Sequence, residues 1–212
     1  MICIPLSGIG FEECKSMARK ENFVEFRFDL LTLTLEEVRE LVGLATSCIA
    51  TCRPGKMDEP RRLEILQTAM ASGADYVDIE VESDPAFLSE LLQYARNYGT
   101  DVIISYHNFK STPDLQELEK IVEKCRKAGA DIVKIASHVS RAEDLQNLFK
   151  LYRKDCRMVI IGMGKLGVIS RIAAPLLGAE FTFAAPEAGK ETAPGQISKD
   201  KLLSIIRQIE ES

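Results

Sequence analysis

The stretch "KAGADIVKIAS", residues 127–137, holds the end of one element and the start of the next. Gly129 sits among small residues after an amphipathic run, where a glycine supplies the positive φ of a helix C-cap. Ile132, Val133 and Ile135 follow, a β-branched run of the kind that forms a strand. Helix, glycine turn and strand make the joint of a repeating strand–helix unit. The same joint recurs as "ASGAD" at 71–75 and "LLGAE" at 176–180. The stretch also holds an anomaly. Lys134 stands inside the apolar run, and a buried ammonium is costly unless something compensates.

Working outward, eight short apolar runs read as strands. They are 2–5, 23–28, 48–53, 76–80, 101–107, 131–136, 158–162 and 180–184. Between them lie stretches with helical spacing, such as Leu35, Val38, Leu41 and Val42, or Leu115, Leu118, Ile121, Val122 and Cys125. "SKDKLLSIIRQIEES" closes the chain behind a Ser198 cap. Successive strands lie roughly 22 to 30 residues apart, as repeated βα units require. No Ser/Pro/Gly-rich linker divides the chain, so one domain over residues 1–212 is expected. The predicted class is α/β, a (β/α)8 barrel. A doubly wound open sheet is the alternative. It would normally carry a glycine-rich first turn if it bound a dinucleotide, and "PLSGIGFEE" has only Gly8 and Gly10.

Composition narrows the functions. Hydrophobic residues make up 46% and charged residues 28%, ordinary for a soluble domain. A net charge of -5 gives no footprint for nucleic acid. The six cysteines lack a CxxC pair and only two histidines exist, which argues against a zinc site. Reduced thiols fit a cytoplasmic protein. "MICIPLSG" lacks the basic start and long apolar core of a signal peptide. No apolar run approaches the ~20 residues of a membrane span.

Active sites of barrels lie at the C-terminal strand ends. Side chains on a strand alternate between interior and helix layer. In strand two Glu25, Arg27 and Asp29 share one face and Val24, Phe26 and Phe28 the other. Strand three ends at Arg53, strand four carries Asp78 and Glu80 in phase, strand five ends at His107, and strand six carries Lys134. Each alone has a plain explanation: a solvated rim arginine, a packed histidine, a lysine that snorkels outward. The same anomaly on several strands at one height points instead to a functional cluster. Strands five and six should be neighbours, so His107 and Lys134 should stand nearly side by side. A neutral lysine amine attacks a ketone or aldehyde to form a Schiff base. A neighbouring histidine can then remove the acidified proton and later return one.

Two further stretches stand out. "IGMGKLGVISRI", 161–172, places Gly162, Gly164 and Gly167 in a GxGxxG-like turn, either a phosphate cradle or a flexible turn before a helix. Arg171, about two turns in, offers a clamp for a carboxylate or phosphate. "APEAGKETAPGQIS", 185–198, has no period and reads either as a lid or as an ordinary mobile loop. Thr192 and Gln196 could reach substrate hydroxyls from it.

These motifs together resemble the type I 3-dehydroquinate dehydratase family across almost the whole chain. They are "VEFRFD" with Glu25, Arg27 and Asp29, "TCRP" with Arg53, "DYVDIE", "SYHNF" with His107, and "VKIA" with Lys134. They continue with Gly164, Gly167, Ser170, Arg171 and Ile172, and "APGQ" with Gln196. The resemblance implies a (β/α)8 barrel, a homodimer, and no metal or cofactor beyond a covalent imine through Lys134. It implies that Lys134 forms the imine with the C3 ketone of 3-dehydroquinate. His107 then takes a C2 proton and protonates the departing C1 hydroxyl, giving 3-dehydroshikimate. Glu25, Arg27 and Arg53 would hold ring hydroxyls, Arg171 the carboxylate, and Thr192 and Gln196 further polar groups, with Asp78 as polar support. Two positions depart from the family. Thr192 stands where serine is common, and the family glutamate after Arg53 is matched by Asp58, Glu59 or neither. The N-terminal extension of longer members is not expected. Two other functions compete: a class I aldolase-type lyase with the same lysine chemistry, and a silent barrel that only binds a partner.

Overall fold

The computed structural model describes residues 1–152 and 155–211. The chain divides into two compact units, Pro5–Ile104 and Met1–Ile4 with Ser105 onward.

In the first unit the helices are α1 (Phe11–Lys20), α2 (Leu35–Leu44), α3 (Glu59–Ala71) and α4 (Pro85–Tyr98). They alternate with β2 (Val24–Arg27), β3 (Cys48–Thr51), β4 (Tyr76–Glu80) and the start of β5 (Asp101–Asn108). The strands run parallel in the order β2-β3-β4-β5. Glu25 pairs with Ile49, Arg27 with Thr51, and Thr51 with Asp78. The helices start where the sequence supplies caps. Thr34 and Glu37 form a capping box at α2, Asp58 caps α3 ahead of Pro60, and Asp84 caps α4 ahead of Pro85. Gly73, at φ 99°, turns α3 into β4. Val38, Leu41, Leu66, Ala69 and Leu91 of the helices are buried, as are Val24, Phe26 and Val77 of the strands. Each large buried side chain is worth about 1.5–3 kcal/mol.

The second unit holds the end of β5, α5 (Leu115–Lys127), β6 (Ile132–His138), α6 (Ala142–Phe149) and β7 (Arg157–Met163). After them come α7 (Val168–Ala173), β8 (Thr182–Phe183) and α8 (Lys199–Glu210). β6 and β7 pair in parallel from Ile132↔Arg157 to His138↔Met163. β1 (Ile2–Leu6) pairs with β8 through Ile2↔Thr182 and Cys3↔Phe183. Gly129 and Gly178 take φ 97° and 83° at the joints before β6 and β8. The expected alternation of eight strands with helices is present.

Several boundaries differ from expectation; β3, for one, stops at Thr51, so Arg53 lies just past its end. β2 stops at Arg27, and Phe28–Leu30 coil into a 3-10 turn, so Asp29 leaves the strand instead of continuing its polar face. β8 has two residues where five were expected. At α8, Ser198 occupies the N-cap position without a side-chain capping bond. The expected end of that helix includes Ser212, outside the described residues.

Candidate active site

In the first unit the polar strand residues are held in pairs. Glu25 is buried, and the Thr51 hydroxyl donates to its Oε1 at 2.9 Å. The 3-10 turn after β2 swings Asp29 back onto Arg27. The guanidinium donates Nε to Oδ1 at 3.0 Å and Nη2 to Oδ2 at 2.7 Å. This fork is rigid. Burial works against the Arg27 cation, and the Asp29 bonds with the charges of Glu25 and Asp78 outweigh it, so Arg27 is held more firmly charged than an ordinary arginine. Arg53 faces Glu80 at 3.9 Å, a loose ion pair. Burial pushes the Glu80 carboxyl up, Arg53 offsets part of that, and Asp78 and Glu82 add to it. Asp78 is buried. Of the two matches for the family glutamate, Asp58 spends its carboxylate accepting the Arg61 amide at 3.0 Å, and Glu59 is exposed.

Arg62 also belongs to this cluster, although the sequence does not mark it. It is buried, donates to the Cys52 carbonyl at 3.0 Å and covers the Phe87 ring at 4.6 Å. It therefore braces the strand end that carries Arg53. Nothing in the helical pattern of α3 distinguishes Arg62 from its solvated neighbour Arg61.

In the second unit Lys134 is 3% exposed and alternates on β6 with buried Ile132 and Ala136. Its Nζ lies 4.5 Å from the centroid of the Phe183 ring. Lys134 therefore does not escape to solvent. Phe183 was missed as a site residue, because "EFTFA" does not say which aromatic faces which way. His107 stands near the end of β5, the neighbour of β6, and its ring stacks on Phe109 at 6.2 Å. Beyond it Asn108 accepts the amides of Lys110 and Ser111, and this ends the strand.

Arg171 is 2% exposed. Its Nη1 donates to the Phe183 carbonyl at 3.3 Å, and its Nε has no partner among the described residues. Burial drives its pKa down to about 10. A buried guanidinium with an unused donor is ready for an incoming anion.

The glycine stretch is not a phosphate cradle. Gly162 and Gly167 press together so closely that a Cβ on Gly167 would fall 2.3 Å from the Gly162 carbonyl carbon. The Gly162 amide donates to Ser170 Oγ at 2.8 Å, and Ser170 donates to the Gly167 carbonyl at 2.7 Å. The Gly164 amide donates to the Pro194 carbonyl, and the Gly167 amide to the Gly164 carbonyl. All three amides are spent inside the protein. The glycines bring α7 against the end of β7, which is what sets Arg171 in place.

The last loop has a closed neck. The Ala185 amide donates to the Ile197 carbonyl and the Lys199 amide to the Ala185 carbonyl, both at 2.8 Å. Inside it the Thr192 amide and hydroxyl both donate to Gln196 Oε1, at 2.7 and 3.2 Å. The two lid candidates thus form one unit, and the loop is ordered by its own side chains. Among the described residues no group of three His, Cys, Asp or Glu side chains could hold a metal ion. Among the same residues no helix is long and apolar enough to cross a membrane.

Known proteins resemble the chain throughout. Residues 2–212 match the family described as type I 3-dehydroquinase. A 3-dehydroquinate dehydratase of Methanococcus maripaludis is 34% identical over 99% of this chain and 100% of its own. The crystal structure of the 3-dehydroquinate dehydratase from Aquifex aeolicus is 28% identical, with a TM-score of 0.85 over 98% of each chain. That from Geobacillus kaustophilus is 24% identical, with a TM-score of 0.88 over 99% of this chain and 91% of that one, a likeness of fold.

Proposed function

The chain belongs to the type I 3-dehydroquinase family and is a hydro-lyase that dehydrates 3-dehydroquinate in the shikimate pathway, and we propose that it works through an imine on Lys134, with His107 moving the protons. Its fold is the α/β class, a (β/α)8 barrel. The observation that carries the reading is Lys134 itself. A lysine on a strand, 3% exposed and set against an aromatic face, offers the water-shielded amine that imine chemistry calls for.

In this reading the Lys134 amine attacks the C3 ketone of the substrate, and loss of water gives the iminium. The positive nitrogen draws electrons from C2, so its proton becomes acidic. His107 takes that proton. The electron pair moves to expel the C1 hydroxyl, which leaves as water with the proton His107 returns. Hydrolysis of the product imine releases 3-dehydroshikimate and restores Lys134. The iminium serves as the electron sink, so the proposed reaction uses no metal or cofactor. Arg171 would take the substrate carboxylate, for which its buried, partly unused guanidinium is suited. Glu25, Arg27 and Arg53 would take ring hydroxyls, and Thr192 and Gln196 further polar groups.

The glycine turn weighs against the aldolase-type rival. A sugar-phosphate lyase would need free amides there, and those of Gly162, Gly164 and Gly167 are already bonded. The same proposal includes one catalytic domain over residues 1–212, which a single family match over 2–212 supports, together with a homodimer and a cytoplasmic location.

The test is a borohydride trap with 3-dehydroquinate, followed by peptide mass mapping. The adduct is expected on Lys134 and absent from Lys134→Ala, which should also fail to produce the absorbing enone. His107→Ala should still form the trapped imine while turnover falls about 10²- to 10⁴-fold. An active Lys134→Ala would sink the mechanism.

A further inference from the structure

The chain's second histidine has no place in that mechanism, yet its ring packs close to Gly164, which the last loop also meets. His138 ends β6 and pairs in register with Met163, one residue before Gly164. Its backbone is fixed, because Thr112 Oγ1 donates to its carbonyl at 2.8 Å and shares a bond with Ser137 at 2.9 Å. Its ring lies directly against Gly164. A Cβ on Gly164 would meet the imidazole Cε1 at 2.8 Å. The last loop meets the same residue. The Gly164 amide donates to Pro194 at 3.0 Å, and a Cβ on Gly195 would fall 2.3 Å from the Gly164 carbonyl oxygen. Gly164 thus lies close to both the imidazole ring and Gly195.

We infer that His138 is a positioning residue: its ring and Gly164 form the seat on which the lid turn rests, and this seat sets Gln196 over the site. Three observations converge. Gly164 and Gly195 both hold positive φ, 82° and 76°, where a side chain would be strained, so the approach is shaped in the backbone. The turn is docked by a main-chain bond, which cannot shift without moving Gln196, two residues from Pro194. Gln196 is 6% exposed and holds Thr192, so placing the turn places both lid side chains. Without the ring, the Gly164 peptide loses its support and can sag away from the lid.

The inference rests on the proposal that Gln196 contacts substrate, and the two are separable by a double-mutant cycle. Gln196→Ala, His138→Ala and the double variant are compared in steady-state kinetics with 3-dehydroquinate. A contact made equally in ground and transition states appears in KM. Gln196→Ala is expected to raise KM about tenfold, and His138→Ala to raise it nearly as much, with kcat within about threefold. The double variant should be no worse than Gln196→Ala, because the seat acts only through the lid. His138→Phe, which keeps a flat ring under Gly164, should hold KM within about threefold of wild type. Gly195→Ala should raise KM as His138→Ala does and gives a second route to the same answer. A wild-type KM for His138→Ala beside a raised one for Gln196→Ala overturns the seat and leaves the lid contact standing. Multiplying effects in the double variant, or a His138→Phe as impaired as His138→Ala, also overturn it. A wild-type KM for Gln196→Ala removes the lid contact itself and the seat's role with it.

Discussion

The Lys134 Nζ lies 4.5 Å from the centroid of the Phe183 ring, while the Phe183 carbonyl accepts from Arg171. One residue of a two-residue strand thus meets both side chains: its ring faces the amine proposed to react, and its carbonyl accepts from the arginine proposed to take the carboxylate. In the proposed mechanism the ring face would favour the positively charged iminium on Lys134, and desolvated cation–π contacts are worth up to about 2 kcal/mol. Phe183→Leu keeps the apolar bulk and the carbonyl but removes the aromatic face. It should lower kcat/KM about 5- to 30-fold and slow borohydride trapping of Lys134 in parallel. An unchanged trapping rate would show that the ring only fills space.

The Arg27–Asp29 fork predicts a different signature. Arg27 is a proposed substrate ligand, and its two bonds to Asp29 fix the guanidinium plane. Asp29→Asn removes the carboxylate and one of the two acceptors. KM for 3-dehydroquinate is expected to rise about tenfold with kcat little changed, since ring hydroxyls are held alike before and during reaction. A loss confined to kcat would place Arg27 in the chemical step instead.

How much of this was written in the sequence differs by level. Repeating joints such as "KAGAD" and the β-branched runs exposed the strand–helix alternation, because glycine φ and strand propensity act locally. Lys134 was legible for the same reason: a charge inside an apolar run violates a local rule. Asp29 was misread, since period-two phasing assumes that the strand continues. A 3-10 turn at Phe28 converts a neighbour on the same face into a hydrogen-bond partner. The glycines of 162–167 were read as either cradle or flexible turn. Their real constraint is contact between Gly162 and Gly167, which depends on how a helix returns to its strand. Phe183 and Arg62 were invisible because aromatic and cationic roles at those positions depend on partners far away in the chain.

Ser170 tests that account of the glycines. Its hydroxyl accepts the Gly162 amide and donates to Gly167, and both bonds are buried. Ser170→Ala orphans a buried donor, which costs about 1–3 kcal/mol. For a domain of this size each kcal/mol shifts Tm by about 2–4 °C. A fall of about 2–12 °C in calorimetry is therefore expected, together with weaker binding through its neighbour Arg171. A Tm within experimental error of wild type would mean that the Gly162–Gly167 contact holds without the serine.

The start of α6 offers a pH test independent of the active site. Burial pushes the Asp144 carboxyl up. The amides of Ser140 and Arg141, at 2.9 and 3.2 Å, and the Arg141 guanidinium outweigh that effect, so the net shift is downward. A carboxylate held below its ordinary value of about 3.9 stabilises the fold at pH above that value. As pH falls through the ordinary value the unfolded chain takes up the proton first, so the stabilisation drains away and is gone below the folded pKa. Asp144→Asn keeps an acceptor but has no charge to lose. In urea unfolding at pH 7 it should be less stable than wild type by about 1–2 kcal/mol. That gap should hold down to about pH 5 and close between there and pH 2. A gap that stays constant into acid would assign the contribution to the shape of the cap and not to its charge.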